Sequence, residues 1–242
     1  MPRSLENSVV AVVGASGGLG SSLSRQLADA GAQLLLAGPH EDRLRNLQIS
    51  GASTVQIDLR DSLAGNALVA AAAERYGRLD GLVNAAGVVA FGPLTETDDT
   101  VIEELFLTNV IGPLWLLKRV IPLLSESRGF VVNISAVLAE QPMANLAAYS
   151  ASKAALSAAD QALTRELRRL GIQVCDVRPP HTETGLATRP LAGVAPKLPA
   201  GLTPEFVAAR IVQAITEGTG ELSSDSFSVA AYDGDSAVSE QQ

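Results

Sequence analysis

Only one cysteine occurs among the 242 residues, so no disulfide can form within the chain. Cys175 falls inside the apolar run Ile172–Val177 and reads as a buried strand residue; a reducing cytoplasm is the expected compartment. Histidine is nearly as scarce, with His40 and His181 alone. No grouping of His, Cys and Asp has the spacing of metal ligands, so no metal site is expected. Positive charge is in deficit, 18 Lys and Arg against 26 Asp and Glu for a net charge of −8. The basic residues are scattered and form no stripe for a phosphate backbone, which argues against a nucleic-acid partner. Aromatics make up 4% of a composition that is 47% hydrophobic, most of it Ala, Leu and Val, the stock of close packing between helices and a sheet. Long unbroken apolar runs are missing too: Val110 to Leu124 is interrupted by Pro113, Lys118, Arg119 and Pro122 and falls short of the roughly 20 residues that cross a bilayer. No charged segment followed by an apolar stretch opens the chain. Neither a membrane partner nor an export signal is expected. Linkers, internal repeats and low-complexity tracts are absent as well, so one domain over residues 1–242 is expected, with flexible ends at 1–8 and 233–242.

What is present alternates. Apolar runs bounded by turn residues recur at Val9–Val13, Gln33–Ala37, Val55–Ile57, Leu79–Val83, Gly129–Ile134 and Gln173–Val177, with a weak seventh near Ser226–Ala230. Helix-like stretches separate them at Gly20–Gly31, Glu41–Gln48, Ser62–Tyr76, Asp98–Ser125, Ala147–Leu170 and Thr203–Glu217. Strands that are apolar throughout are covered on both faces. The expected fold is α/β: a doubly wound, Rossmann-like parallel sheet of about seven strands with helices on both faces. The Gly- and Pro-punctuated segment 185–201 reads as a mobile loop or short lid over a substrate.

The first strand runs straight into Gly14-Ala15-Ser16-Gly17-Gly18-Leu19-Gly20 and then a helix. Glycines there permit a tight turn and close backbone approach, so that a pyrophosphate can rest on the helix amino terminus; a plain chain reversal is the other reading. In sheets of this kind an acidic residue ending the second strand marks NAD and a basic one nearby marks NADP. Here the chain reads Ala37-Gly38-Pro39-His40, with no carboxylate at that point, while His40, Arg43 and Arg45 could meet a 2′-phosphate. The balance leans to NADP over NAD. Asp58 ends the third strand, where it could accept a hydrogen bond from an adenine amino group, and Asn84-Ala85-Ala86-Gly87 ends the fourth with small residues that let a cofactor lie against the backbone. Turn chemistry alone would explain either.

Tyr149 and Lys153, in Tyr149-Ser150-Ala151-Ser152-Lys153, stack a phenol and an ammonium on one helix face. A nearby cation favours phenolate, so such a pair can exchange protons, although the spacing also occurs on ordinary helices.

Taken in order, Gly14-x-x-x-Gly18-x-Gly20, Asp58, Asn84-Ala-Ala-Gly87, Asn109, Ser135, Tyr149-x-x-x-Lys153 and Arg178-Pro179 resemble the short-chain dehydrogenase/reductase superfamily in its compact single-domain form. The resemblance runs from Val9 to about Val229. It implies an NAD(P)-dependent oxidoreductase acting between a carbonyl and an alcohol, in which Tyr149 is the general acid or base. Lys153 would depress the Tyr149 pKa and hold the nicotinamide ribose, Ser135 would bind the substrate oxygen, and Asn109, interrupting the long helix, would hold a water of a proton relay. It implies cofactor contacts from Gly14, Ser16, Gly17, Gly18, Leu19 and Gly20, from His40, from Asp58 and Leu59, and from Asn84, Ala85, Ala86 and Gly87. Tyr149, Lys153, Pro179 and Thr184 complete that set, with Thr182 as a substitute for Thr184. Val13 and Pro180 depart from the family's usual threonine and glycine, and neither change removes a catalytic group.

Substrate contacts are expected from Phe91, Val137, Met143, Leu146 and His181, with Glu140 and Arg189 as possible polar recognisers, which suggests a small, mostly apolar carbonyl or alcohol. The resemblance also implies a homodimer or homotetramer, formed through the two long helices. A dinucleotide-sensing regulator on the same fold, without turnover, is the alternative function.

Overall fold

A computed structural model describes residues 3–228. The apolar runs form strands β1 (Val9–Val13), β2 (Gln33–Gly38), β3 (Ser53–Gln56), β4 (Gly81–Asn84), β5 (Phe130–Ile134), β6 (Gln173–Val177) and β7 (Glu221–Leu222). They pair into one parallel sheet in the order β3-β2-β1-β4-β5-β6-β7. The helices are α1 (Gly18–Asp29), α2 (Glu41–Arg45), α3 (Ala64–Tyr76), α4 (Asp99–Phe106), α5 (Gly112–Ser127), α6 (Ala147–Leu167) and α7 (Pro204–Glu217).

The period-two alternation of a strand sends successive side chains to opposite faces. Val10 and Val12 of β1 therefore join Leu23 and Leu27 of α1 and Val207 and Ile211 of α7 on one face, while Val9, Ala11 and Val13 join Leu68 of α3 and Leu116 and Val120 of α5 on the other. Both faces are covered, as the uninterrupted apolar strands required. The strand order reverses between β1 and β4, and an open α/β sheet binds ligands outside the carboxyl ends of its strands at such a switch point.

Three expectations change. The seventh strand is Glu221–Leu222, ahead of the expected segment; Ser224–Phe227 instead makes a 3-10 turn that plugs the buried Phe227 into the core, and residues 229 and 230 lie outside the described residues. The expected single helix over Asp98–Ser125 is divided by a π-turn, Leu107–Ile111, closed by the Gly112 N–H donating to the Leu107 carbonyl. Gly112 lies so close to the Leu59 carbonyl that a Cβ would stand 2.4 Å from it, and the extra residue in the turn carries Asn109 inward. Finally, the opening residues expected to be flexible are docked where described: Leu5 is buried, and Arg3 donates to the carbonyls of Arg128 and Gly129 and lies over the Phe130 ring.

The helical run Asp99–Ser127 is, by length and composition alone, long and apolar enough to cross a membrane. That run is longer than the Val110–Leu124 segment judged from sequence. Within it Leu116, Leu117, Val120 and Leu124 are buried against the sheet and α3, while Ile111 and Leu114 are exposed.

Gly81 on β4 faces Phe130 on β5 across the ladder, and a Cβ at Gly81 would lie 2.2 Å from a ring carbon. Gly81→Ala is expected to overpack this contact and cost about 1–3 kcal/mol, read as a lowered unfolding midpoint in urea. An unchanged midpoint would show that the Phe130 ring can move aside.

Candidate active site

One cleft of about 560 Å³ crosses the carboxyl ends of the strands, a volume suited to a cofactor with a small substrate. At one end is the turn leading from β1 into α1. Helix α1 begins at Gly18 with Gly17 as its N-cap, no side chain caps it, and no acidic residue stands in its first turn. Its free N–H groups and the positive end of its dipole face the cleft, which suits a pyrophosphate. The glycines are required sterically: Gly14 has φ +76°, and a Cβ at Gly18 or Gly20 would meet the Thr184 carbonyl at 2.5 Å or the Gly14 carbonyl at 2.2 Å. The residues present therefore fit a dinucleotide.

Beside this turn, Gly38, Pro39, His40 and Arg43 line the cleft with no carboxylate among them. The Arg43 guanidinium reaches back to the Ser16 carbonyl at 3.5 Å, while Arg45 turns away to pair with Glu41 at 2.6 Å. Asp58 and Leu59 also line the cleft. Sequence reasoning missed Arg60, whose guanidinium grips both Asp58 oxygens and reaches Glu104, holding the Asp58 carboxyl below its ordinary pKa. Asp58 thus meets any ligand with its charge already partnered.

Ala85, Ala86 and Gly87 form the floor. Asn84 lies beneath it instead of lining it: its Nδ2 donates to Asn133 Oδ1 at 3.3 Å and its Oδ1 accepts from the Ala86 N–H at 3.4 Å. Asn109 is likewise buried below the surface. Its Oδ1 accepts from the Val88 N–H at 2.9 Å, and its Nδ2 donates to the Val88 carbonyl at 3.0 Å and to Ser152 Oγ at 3.1 Å. These bonds hold the Asn109 amide against the chain at Val88, and the second lone pair of Oδ1 is left for a further donor.

At the other end stand Tyr149 and Lys153, both buried on α6 as the four-residue spacing requires. Lys153 Nζ donates to the Ile134 carbonyl at 2.9 Å and lies 6.0 Å from the centre of the Tyr149 ring. Burial pushes the phenol well above its ordinary pKa and the ammonium down to about 8, the latter opposed by the Asp176 charge. In the protein alone the cost of desolvating a phenolate dominates at Tyr149, and the lowering expected from Lys153 does not emerge as a net shift.

Ser135 lines the cleft too, but its hydroxyl turns inward, 2.7 Å from Asp176 Oδ1 and 3.0 Å from the Val177 carbonyl. It opens onto a buried polar seam between α6 and strands β5 and β6. Asp176 also receives the Ser157 hydroxyl and Arg178 Nη1, and Arg178 in turn pairs with Glu140 and Glu221. Glu140 is thus occupied away from the cleft. Deeper along the seam, Asn133 Nδ2 donates to Asp160 Oδ1 at 2.6 Å, and the buried Asp160 Oδ2 has no partner among the described residues. Burial raises the Asp160 carboxyl to about 8, with Asp176 adding to the rise. The signal for this seam was in the sequence: Asn133 and Asp176 are polar residues inside otherwise apolar, fully covered strands.

The remaining wall comes from Phe91, Val137, Met143 and Leu146, with Pro179, Pro180, His181, Thr182 and Thr184 across from them. His181 does have a partner, Glu183 Oε1 at 3.3 Å. The segment 185–201 docks on residues 89–91: the Phe91 N–H donates to the Ala192 carbonyl and the Leu191 N–H to the Val89 carbonyl. Leu186, Ala187 and Arg189 from this segment close the cleft.

The pKa of Asp160 carries a stability test. Its folded value near 8 lies above its ordinary 3.8, so the folded protein binds the extra proton between those values and stability is lost as pH rises through the window. Lys153 acts in the adjoining window: lowered from 10.5 to about 8, it favours folding as pH rises above 8. The thermal midpoint is expected to fall between about pH 5 and pH 8, and Asp160→Asn to flatten that fall. An equal slope in both proteins would place the buried proton elsewhere.

Comparison with known proteins agrees with this architecture. The family model for short chain dehydrogenase matches residues 8–192. An uncharacterized oxidoreductase of Staphylococcus saprophyticus is 32% identical over 197 residues, covering 78% of this chain and 82% of that protein. Dehydrogenase/reductase SDR family member 7B of Xenopus laevis is 33% identical over 238 residues, 90% of this chain and 74% of its own. A short-chain dehydrogenase from Streptomyces avermitilis superimposes with a TM-score of 0.82 at 28% identity, over 96% of this chain and 95% of its own. A 3-ketoacyl-(acyl-carrier-protein) reductase from Brucella melitensis, crystallised with NADH, shares the fold, with a TM-score of 0.81 at 23% identity over 91% of this chain and 95% of its own.

Proposed function

This chain belongs to the short-chain dehydrogenase/reductase superfamily of oxidoreductases, and we propose that it reduces a small carbonyl compound to an alcohol at the expense of NADPH, with Tyr149 as the proton donor. The observation that carries the reading is the continuity of the cleft, which joins the uncapped amino terminus of α1 to the buried Tyr149 phenol. When bound, a nicotinamide dinucleotide supplies the hydride.

The protein's own part is binding, exclusion of water and movement of one proton. The α1 amino terminus and the Gly14–Gly20 turn would hold the pyrophosphate, and Ala85 to Gly87 the flat groups. Hydride addition to a carbonyl builds negative charge on oxygen, and a donor aimed at that oxygen lowers the barrier. At neutral pH Tyr149 is the neutral phenol, the form that can give a proton, and burial raises its pKa further. Lys153, buried beside it, retains its charge at neutral pH and loses it near pH 8. Reduction is therefore expected to decline above about pH 8.

NADP is favoured over NAD because His40 and Arg43 stand beside the Ser16 turn, where no carboxylate faces a ribose hydroxyl. The exposed apolar residues Ile111 and Leu114, on the outer side of the π-turn and α5, support a homodimer or homotetramer. The buried thiol of Cys175, its pKa pushed up to about 12, suits a reducing cytoplasm.

Oxidation of NADPH and NADH against a panel of ketones, aldehydes and quinones tests the activity. Tyr149→Phe is expected to lower kcat by roughly 10²–10⁴-fold while NADPH still binds; full activity in that variant would sink the mechanism. Binding of NADPH with no turnover across the panel would favour a dinucleotide sensor. Arg43→Ala is expected to raise KM for NADPH roughly 3–10-fold, since the side chain is exposed, and to leave KM for NADH unchanged. Equal effects on both cofactors would remove Arg43 from 2′-phosphate recognition.

A further inference from the structure

In the proposed reading the pyrophosphate rests at the turn after β1 and the nicotinamide lies toward Tyr149, on the β5 side. The adenosine then extends the other way, over β2 and β3. Asp58, Arg60, Glu104 and Thr108 line the cleft there. They form one string from the end of β3 to α4 and the π-turn. Arg60 grips Asp58, its Nη1 reaches Glu104 at 3.3 Å, and the Thr108 hydroxyl donates to the same Glu104 oxygen at 3.4 Å.

Hydrogen-bond capacity decides what this string offers a base. An ionised carboxyl has roughly four lone-pair sites and no hydrogen to give. Asp58 already receives three N–H groups of Arg60: the backbone N–H at 2.9 Å, Nε at 3.0 Å from both oxygens, and Nη2 at 2.5 Å. About one acceptor site is left for a ligand, on a charge already partnered. A guanidinium carries five N–H groups and no acceptor. Arg60 directs Nε and one N–H of Nη2 at Asp58 and one N–H of Nη1 at Glu104, which leaves two without a partner among the described residues. The side chain is 51% exposed, so those two are open to a ligand.

An isolated carboxylate at this place accepts the 6-amino group of adenine and repels a 6-oxo group. The bond it accepts is charge-assisted, about twice as strong as a neutral one. Sharing the carboxylate with a guanidinium weakens that bond, and the same guanidinium offers an oxo group a charge-assisted bond of its own. Both changes act toward tolerance. We propose that Arg60 is a base-reading residue of the dinucleotide site, which supplies a donor to the base and relaxes the selection for adenine that Asp58 alone imposes. The ligand class is a purine dinucleotide with an amino or an oxo group at the 6-position, adenine or hypoxanthine. The proposal rests on the reading of the cleft as a dinucleotide site.

The test replaces Arg60 with methionine, which keeps the apolar stem and removes every side-chain donor. The bridge to Asp58 is exposed, so its loss leaves the fold intact. Dissociation constants are read from the fluorescence of NADPH and of its hypoxanthine analogue, deamino-NADPH, which carries the same phosphates and nicotinamide. Fixed groups that touch the base, the backbone among them, are common to both proteins and cancel when the two ratios are compared. Arg60→Met is expected to raise the ratio of Kd for deamino-NADPH to Kd for NADPH by about fivefold or more over wild type. Kd for NADPH itself is expected to change by less than about threefold, because Asp58 regains the lone pairs that Arg60 had held. The double variant, Asp58→Ala with Arg60→Met, is expected to lose the added discrimination, which traces it to the uncovered carboxylate. An unchanged ratio in Arg60→Met, a parallel loss of both ligands, or a raised ratio that survives in the double variant overturns the proposal.

A second measurement needs neither nicotinamide nor turnover: the shift in thermal midpoint given by adenosine diphosphate against inosine diphosphate. The gap between the two shifts is expected to widen in Arg60→Met and to close again in the double variant. A gap of the same size in wild type and Arg60→Met overturns the proposal. Failure to reduce any carbonyl compound counts against the proposed activity alone, since the diphosphate comparison still decides this one; turnover with NADPH alongside an unchanged base ratio overturns this one alone.

Discussion

The buried ion pair between Asp176 and Arg178 is the contact on which the Tyr149 end of the cleft depends. Both residues are nearly inaccessible, and charges removed from water persist only when paired and hydrogen-bonded. Arg178 binds three elements through its carboxylate partners: β6 through Asp176, the wall after β5 through Glu140, and the edge strand β7 through Glu221. Asp176 in turn orients Ser135 and Ser157 and lends its charge to Lys153. Breaking such a pair by removing one member leaves an uncompensated buried charge, at a cost of about 3–5 kcal/mol, far more than an exposed bridge such as Arg45 with Glu41 contributes. The two-residue β7 persists at the sheet edge because Glu221 is tied to this pair and Leu222 packs beside Val177.

Burial also explains the opposite displacement of Tyr149 and Lys153. Desolvation penalises whichever form is charged, so it raises an acid and lowers a base. The pair therefore moves toward two neutral groups, a phenol and an amine whose charge is lost near pH 8. The polar seam behind them, Asn84 to Asn133 to Asp160, lies on the sheet face that α6 covers, where an apolar surface is the usual filling. Its unpartnered Asp160 oxygen is the one place in that seam where a proton is the simplest complement.

Much of this was legible in the chain. Unbroken apolar strands between helical stretches led to a doubly wound parallel sheet, and Val9–Val13 and Gln173–Val177 are observed at the expected bounds. The glycine turn, Asp58, Tyr149 and Lys153 all reach the one cleft, because residues at strand ends and on a single helix face are brought together by topology alone. The failures were of another kind. The π-turn at Leu107–Ile111 depends on the close approach of Gly112 to Leu59, a contact between residues 53 positions apart. Asn84 was expected to line the cleft and lies beneath it, since an amide can satisfy a neighbouring backbone as readily as a ligand. Arg60 lay two residues from Asp58 without any spacing rule to connect them.

By itself the sequence determined the sheet, the order of its motifs and the family, because periodicity and glycine placement act over a few residues and survive without knowledge of neighbours. Only the tertiary structure decided which way the Ser135 hydroxyl points, which of Arg43 and Arg45 faces the cleft, and which carboxylates are paired. Those outcomes depend on partners contributed by separate strands and helices and on the removal of water between them, and neither is written in local pattern.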